Sequence, residues 1–155
     1  MRIRSATPEE LLGPLNAVER KNAPSVFFFS GDEALLRRPR VSVVGRREAS
    51  EEGRRRAARL ARELVAADVV VVSGLALGID AVAHRAAIDA GGRTIAVLGN
   101  PLQVFYPAAN RALQEEICRD HLALSQFPED VPPRPQNYPL RNRAMALISH
   151  ATVVV

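Results

Sequence analysis

The sequence predicts an α/β protein with a doubly wound, mostly parallel sheet and helices on both faces of that sheet. Short apolar runs such as VVVV (69–72) and TIAVL (94–98) lack polar–apolar alternation, which is typical of parallel strands buried on both faces. Segments with helical periodicity lie between these runs, and three of the runs are followed directly by glycine or Ser-Gly. Strands that alternate with helices form right-handed βαβ units, so this order predicts a Rossmann-like sheet.

Residues 1–40 are predicted to form an N-terminal preface rather than a second domain. Thr7 begins a capping-box pattern with proline at the first helical position, and Gly13-Pro14 ends that helix early. The run SVFFF (25–29) is predicted to be a short strand, and EALLRRP (33–39) a helical turn stopped by proline. The preface therefore supplies one short helix and one short strand.

Residues 41–155 are predicted to form the Rossmann-like domain. VSVV (41–44) is the first strand, and Ser50 is placed to cap a helix whose apolar residues recur with helical spacing. Those apolar residues are Ala57, Leu60, Ala61, Leu64 and Val65. The opposite face of this helix carries Arg55, Arg56, Arg59 and Arg62. We therefore expect the apolar face to pack on the sheet and the arginine face to meet solvent.

The remaining elements follow the same alternation. The predicted order is strand 69–72, helix 80–90, strand 94–98, a helix capped by Asn110, strand 122–125, helix 141–149 and strand 151–155. Gly91-Gly92 is expected to end the helix over 80–90. The sequence ends inside the apolar fifth strand, so we expect that strand to be truncated. Its cover would come from another molecule or from a longer version of the chain.

The composition indicates one globular domain and argues against a membrane, disulfide or metal protein. The 155 residues are 47% hydrophobic, which is enough for a core. No apolar run reaches the roughly 18–20 residues of a membrane span, and the N-terminus lacks the apolar segment of a signal peptide. Cys118 is the single cysteine, and the histidines show no metal-site spacing. We expect a cytoplasmic protein without a metal or cofactor.

Basic residues are concentrated in two segments on either side of an acidic middle. Residues 41–66 and 131–155 each carry a net charge of +3, whereas residues 67–130 carry −4. Of the 21 basic residues only Lys21 is a lysine. Arginine forks suit bidentate phosphate contacts, although a GC-rich genome or a hot habitat would produce the same bias.

Glycine-containing turns at three strand ends predict an anion site. The residues of these turns that we expect to contact phosphate are Gly45, Arg46, Arg47, Ser73, Gly74, Gly78 and Gly99. Glycine lets a ligand approach the backbone, and the following helix N-terminus favours an anion. The alternative is that these glycines only make tight turns. Neither the dinucleotide fingerprint nor the P-loop motif occurs, so NAD and P-loop ATP chemistry are not expected.

The second basic segment, RPQNYPLRNRA, has the composition of a nucleic-acid contact. It carries Arg134, Arg141, Asn142 and Arg143 without a single acid, and Tyr138 lies among them. Arginines interleaved with aromatic residues suit single-stranded nucleic acid, because phosphates meet cations while bases stack on rings. Phe127 is a second aromatic residue of this region. A solvated loop with a packed tyrosine is the alternative.

One pair of titratable residues stands out. Asp80 and His84 are four residues apart on the same predicted helix, a spacing that permits a hydrogen bond and acid–base chemistry. The alternative is that Asp80 caps the helix and His84 orients a loop. No Ser-His-Asp or G-x-S-x-G arrangement occurs, so the pair is kept as a supporting feature and catalysis is not expected.

The order of motifs resembles the DNA-processing protein A family (DprA, also called Smf). The resemblance rests chiefly on SGLALGIDAVAH (73–84) and on the FP…P…YPLRNR block that ends at residue 143. It implies a bacterial cytosolic protein that binds single-stranded DNA during natural transformation, helps to load RecA recombinase and forms a homodimer. It implies no chemical reaction. Two positions depart from the family pattern: Arg46 stands where serine is usual, and Leu77 where arginine is usual.

Two other functions stay open at this point. The same sheet resembles nucleoside-monophosphate phosphoribohydrolases, the lysine decarboxylase-like enzymes. Their Pro-Gly-Gly-x-Gly-Thr loop is not found here, but that loop would follow the fifth strand, where the sequence ends. A plain nucleotide-binding sensor module is the third reading.

Overall fold

Seven strands form one mixed sheet in the computed structural model, which describes residues 1–155. The strands are β1 (Arg4–Ala6), β2 (Phe27–Gly31), β3 (Arg40–Val44), β4 (Val70–Ser73), β5 (Thr94–Leu98), β6 (Leu122–Ser125) and β7 (Ala151–Val154). The helices are α1 (Pro8–Leu12), α2 (Ala17–Asn22), α3 (Glu51–Ala66), α4 (Ile79–Asp89), α5 (Arg111–Asp120) and α6 (Asn137–Ile148), with short 3₁₀ helices over Glu33–Arg37 and Ala108–Asn110. The strand order across the sheet is β1-β2-β6-β5-β4-β3-β7.

Strands β3 to β7 are all parallel, which confirms the predicted doubly wound α/β fold. Helices α3, α4 and α5 pack on one face of the sheet, and α6 packs on the other. The crossover through α6 brings β7 back beside β3, so the chain winds in both directions from β3. Val70 and Val72 face α6, whereas Val71 between them faces α3 and α4, because successive side chains of a strand point to opposite faces. This two-sided burial accounts for the uninterrupted valine run.

The first forty residues extend the sheet on one side. β2 pairs antiparallel with β6, and β1 pairs antiparallel with β2. The predicted capping box at Thr7 is present, whereas the predicted strand lies two residues later than expected, and β1 and α2 were missed. Phe27 and Phe29 lie in the same core cluster as α6. The domain boundary at residue 40 stays a prediction.

One expectation about the later elements is met only in part. Asn110 stands at the N-cap position of α5, but its side chain makes no capping hydrogen bond and donates instead to the Leu75 carbonyl, 2.9 Å away. The four residues of β7 are exposed and Val154 is 76% exposed, in line with the expectation that the cover of this strand would come from outside this sequence. β7 is an edge strand that pairs only with β3. None of the helices has the length and apolar character needed to cross a membrane.

Candidate functional site

A cleft opens at the edge of the sheet where the parallel strands end. The carboxyl ends of β3, β4, β5 and β6 meet at this edge, and α6 begins there, so residues distant in sequence come together. This edge cleft is narrow, with a cavity volume of about 40 Å³. Its lining includes Arg47, Leu75, Asn100, Tyr106, Tyr138 and Arg141. The predicted glycine turns and the predicted basic segment therefore share one site.

The protein's own side chains occupy the space beside most of the glycines. A Cβ atom at Gly45 would lie 2.6 Å from the Ile79 side chain, and one at Gly99 would lie 2.7 Å from the Tyr138 ring. A Cβ at Gly74 would lie 2.5 Å from Nη1 of Arg141. These glycines admit internal groups, so packing accounts for their small size.

The turn between β4 and α4 holds a carboxylate where an external anion was expected. Asp80 is 5% exposed and accepts hydrogen bonds from the backbone N–H groups of Gly74 (3.2 Å) and Ala76 (3.3 Å). Ser73 is also closed off, since its fully buried hydroxyl donates to the Val43 carbonyl at 2.6 Å. Burial raises the pKa of Asp80, although the Arg141 charge and these hydrogen bonds act in the opposite direction. Asp80 thus serves as an internal anion for this turn.

The turn between β4 and α4 also has backbone N–H donors without an acceptor. Gly78 has φ of +81°, and a Cβ there would collide with the carbonyl oxygens of Arg46 and Arg47, so only glycine fits. The backbone N–H groups of Leu77 and Gly78 donate to no acceptor within the chain. Any phosphate contact of this turn would therefore use Leu77 and Gly78 rather than Gly74.

The hydrogen bond that the spacing of Asp80 and His84 permits does not form. His84 is completely buried, and its Nδ1 lies 2.6 Å from Oγ1 of Thr94. Burial, aided by the nearby His121, lowers the pKa of His84 to about 3. A neutral imidazole buried between helix and sheet has no access to the edge cleft, so the acid–base interpretation of this pair is wrong.

Arg141 is a buried anchor rather than a free surface cation. It is 6% exposed, and its Nη1 donates to the carbonyl oxygens of Gly74 (2.6 Å) and Val97 (3.1 Å). Its Nε donates to Oδ1 of Asn142 at 3.0 Å, while its Nη2 donates to nothing in the chain. Burial lowers the pKa of Arg141, although the Asp80 charge opposes that shift. Arg141 thus ties α6 to β4 and β5 and lines the cleft.

Tyr138 lies at the centre of a stack of aromatic and cationic groups. Its ring packs over Gly99, and the guanidinium carbon atoms of Arg47 and Arg141 lie 5.2 and 5.4 Å from the ring centroid. Tyr106, which is 51% exposed, also lines the cleft. Phe127 is only 7% exposed, so it is not available for the stacking role that the sequence suggested.

Four arginines of the loops and helix at this edge have no acidic partner. Arg46, Arg47, Arg134 and Arg143 are exposed and form no ion pair within 4 Å. Three arginines on the exposed face of α3 differ from them. Arg55, Arg56 and Arg59 pair with Glu51, Glu52 and Glu63. Four exposed arginines without an ion pair therefore lie at the carboxyl edge of the sheet, and others, among them Arg54 and Arg62 of α3, lie elsewhere.

Among the lining residues that sequence reasoning missed, Asn100 is polar and buried. Asn100 follows Gly99 after β5 and is 3% exposed, yet it lines the cleft. The loop beyond it is fixed by Gln114, whose amide donates to the carbonyl oxygens of Leu102 (3.2 Å) and Val104 (3.1 Å). A polar residue directly after the third glycine turn was the available signal. No group of three or more His, Cys, Asp or Glu side chains is placed to hold a metal ion.

Comparison with known proteins gives a consistent result. The family model of the DNA recombination-mediator protein A matches residues 6–155. DNA processing protein DprA of Streptococcus pneumoniae is 42% identical over 141 residues, which is 91% of this chain and 50% of that protein. The chain therefore spans about half the length of this relative.

Two solved structures share the fold over nearly the whole chain. The crystal structure of S. pneumoniae DprA matches with a TM-score of 0.90 at 39% sequence identity. This match covers 99% of this chain and 54% of the S. pneumoniae chain. DNA processing protein A of Helicobacter pylori, described as having a unique single-stranded DNA binding mode, has a TM-score of 0.85 at 27% identity. This match covers 99% of this chain and 68% of the H. pylori chain.

Proposed function

The chain belongs to the DNA recombination-mediator protein A family, and from this premise we propose that it binds single-stranded DNA along the carboxyl edge of its sheet. In this proposal the sugar–phosphate backbone passes over Arg46, Arg47 and Arg143, and the edge cleft lies beneath it. Arg141 and Asn142 support the site through the hydrogen bond that joins them.

The observation that carries the proposal is the uneven pairing of the arginines. A guanidinium already paired with a carboxylate has little to gain from a phosphate, whereas an unpaired one gains a charge-assisted contact and releases counterions from DNA. Arg46, Arg47, Arg134 and Arg143 are unpaired and lie at one edge, whereas Arg55, Arg56 and Arg59 of α3 are paired and only Arg54 and Arg62 of that helix are not. Arg46, which replaces the serine usual in the family, adds one of these unpaired charges.

The cleft favours single strands over duplexes. Tyr138 and Tyr106 line it, and unpaired bases can stack on such rings, whereas bases in a duplex are already stacked and paired. Leu77 is 45% exposed beside them and adds apolar surface where the family usually has arginine. The missing arginine at this position is offset by Arg46 on the neighbouring strand end.

We propose a binding role rather than a catalytic one. The acid and the imidazole closest to the site, Asp80 and His84, are both buried, and Asp80 is already bound to backbone N–H groups. The side chains lining the cleft are guanidinium, tyrosine, amide and aliphatic groups, which bind phosphates and bases but supply no general base at neutral pH.

The partners that we propose follow from the family. We propose that DNA held here is passed to RecA recombinase, consistent with the description of the family as a recombination mediator. We also propose a homodimer and a cytoplasmic location, where RecA and the chromosome are found. Sedimentation of the purified protein tests the dimer, and co-purification of RecA with protein-coated single strands tests the transfer.

The direct experiment is fluorescence anisotropy with a labelled single-stranded oligonucleotide and a duplex of the same length. We expect saturable binding of the single strand at low salt and weaker binding of the duplex. Arg143→Ala should weaken binding of the single strand about tenfold, which corresponds to ~1.4 kcal/mol. Failure to bind the single strand at low salt would sink the proposal.

The same protein preparation tests the alternative function, that of a nucleoside-monophosphate phosphoribohydrolase. Incubation with nucleoside monophosphates should release no free base above the protein-free background. A saturable release of base that disappears in Arg143→Ala would replace the DNA-binding function with that of a phosphoribohydrolase.

A further inference from the structure

A second and wider groove runs along the outer helices of the protein. α4 forms its floor, α3 forms one wall, and α5 with the 3₁₀ helix before it forms the other. The groove begins at Leu77, beside the edge cleft, and leads away from that cleft to Ala90 at the far end of α4. Its volume is about 820 Å³, against about 40 Å³ for the edge cleft. α4 has 11 residues and is therefore about 16 Å long, so this helical groove extends over three helical turns.

The floor of the helical groove is apolar although it faces solvent. Nine of the 16 residues that line the groove are hydrophobic, among them the half-buried Val82 and Ala86 of α4 and Leu113 of α5. Arg85 is the one basic residue on α4, and it is already paired with Glu116 at 2.9 Å and with an acid of its own helix. A contiguous apolar surface with a charged rim is typical of a protein interaction site.

The rim of the helical groove carries positive charge that the chain does not neutralise. Arg54 and Arg62 on the α3 wall and Arg47 near the sheet edge form no ion pair within 4 Å. Arg54 and Arg62 are eight residues apart, so they lie on the same side of α3, about 12 Å from each other along the helix axis. The lining holds four arginines and only one acid, Asp89. A partner with acidic residues therefore complements this rim.

We propose that the helical groove binds an amphipathic helix of a partner protein, with an apolar stripe flanked by acidic residues. The alanines of the floor let another helix approach closely, and such helices bind grooves through apolar residues one turn apart. Single-stranded DNA fits this groove less well, because none of the lining residues is aromatic and bases bind by stacking on rings. The inference goes beyond the proposed DNA binding and does not depend on it.

Selection from a displayed library of helical peptides tests the chemistry of the partner. The library has three-turn helices with randomised outward residues, and it is selected on the immobilised full chain. We expect the enriched peptides to combine apolar residues at helical spacing with an excess of aspartate and glutamate. One enriched peptide is then synthesised with a fluorescent label, and its binding is measured by anisotropy.

Two kinds of variant connect this peptide to the helical groove. Ala86→Gln fills the floor with a larger neutral side chain and should weaken peptide binding at least about tenfold. Arg54→Gln combined with Arg62→Gln should weaken it about fivefold, because exposed ion pairs are individually weak. Arg55→Gln combined with Arg59→Gln is the matched control, since it removes the same charge from the paired arginines of α3. This control should change the affinity by less than about twofold.

The alternative occupants give different results. Enrichment of basic peptides, the absence of any enrichment, or equal binding of the peptide to wild type and Ala86→Gln would overturn the proposal. If the Arg54 and Arg62 variant loses single-stranded DNA binding instead of peptide binding, these arginines belong to a DNA path. A dimer in sedimentation that Ala86→Gln dissociates would show that a second copy of the chain fills the groove. Circular dichroism checks the fold, and Ala112→Gln, at an exposed position of the α5 wall, replaces Ala86→Gln if that variant does not fold.

Discussion

Replacing Gly74 with alanine should displace the buried guanidinium of Arg141. The added Cβ would lie 2.5 Å from Nη1 and 2.7 Å from Cζ of Arg141, and 2.9 Å from Oδ2 of Asp80. Ordinary contacts are about 3.5–4.0 Å, so the guanidinium must move by about 1 Å. The hydrogen bonds of Nη1 to the carbonyl oxygens of Gly74 and Val97 would then lengthen or break. Because bonds from a charged donor contribute about 1.5–3 kcal/mol, we expect a loss of about 3 kcal/mol in the free energy of unfolding.

Urea unfolding followed by circular dichroism at pH 7 measures this loss. Gly53→Ala is the matched control, since Gly53 lies in the first turn of α3 and its Cβ would meet only Ser50 Oγ at 3.3 Å and Ile79 at 3.6 Å. Alanine is the better helix former by about 1 kcal/mol, so the control should be neutral or stabilised. In an Arg141→Ala background the cost of Gly74→Ala should largely disappear, because the colliding group is gone. An equal cost in both backgrounds would refute the collision.

Three further predictions address the buried groups and the tyrosine stack. Lowering the pH from 7 to 5 should destabilise the fold, because the unfolded His84 takes up a proton below about 6.5 whereas the folded one, with its pKa lowered to about 3, does not. In urea unfolding, His84→Gln should reduce the loss of unfolding free energy between pH 7 and pH 5 by about 2 kcal/mol. If the variant keeps the pH dependence of the wild type, His84 is not the source of that loss. Gly99→Ala would place a Cβ 2.7 Å from the Tyr138 ring and should disturb the stacking of this ring with Arg47. We expect this variant to bind the oligonucleotide about fivefold more weakly than Gly53→Ala does. Equal binding by the two variants would show that the stack plays no part in binding. Cys118 has its pKa raised to about 11 by burial, so its native thiol should resist a thiol reagent at pH 8 and react rapidly in urea, and rapid native labelling would contradict its burial.

The parallel part of the fold was predictable because its strands are buried on both faces and therefore uniformly apolar. β5 and β6 lie where TIAVL and LALS predict them, and Ser50 caps α3 as expected. β1 escaped prediction because its three residues, Arg4–Ala6, carry no strand pattern and are ordered by pairing with β2.

The position of the candidate site was more predictable than its internal contacts. Parallel strand ends must meet at one edge, which is why the glycine turns lie close together there. What faces each glycine depends on packing between distant residues. Arg141 looked like a free cation beside Arg143, yet it is buried against Gly74, and Asp80 takes the place of an outside anion. Spacing along the chain carries no signal for either contact.

The salt dependence of single-stranded DNA binding in Arg47→Ala and Arg59→Ala tests the central claim most directly. Both changes remove one positive charge, but Arg47 is unpaired at the cleft, whereas Arg59 pairs with Glu63 at 3.0 Å on the exposed face of α3. The account predicts that Arg47→Ala weakens binding about tenfold and makes the slope of log K against log salt shallower by about 0.7, the value for one lost phosphate contact. Arg59→Ala should leave affinity and slope unchanged. Equal effects of the two variants, or a slope near zero for the wild type, would contradict a DNA backbone path over the carboxyl edge.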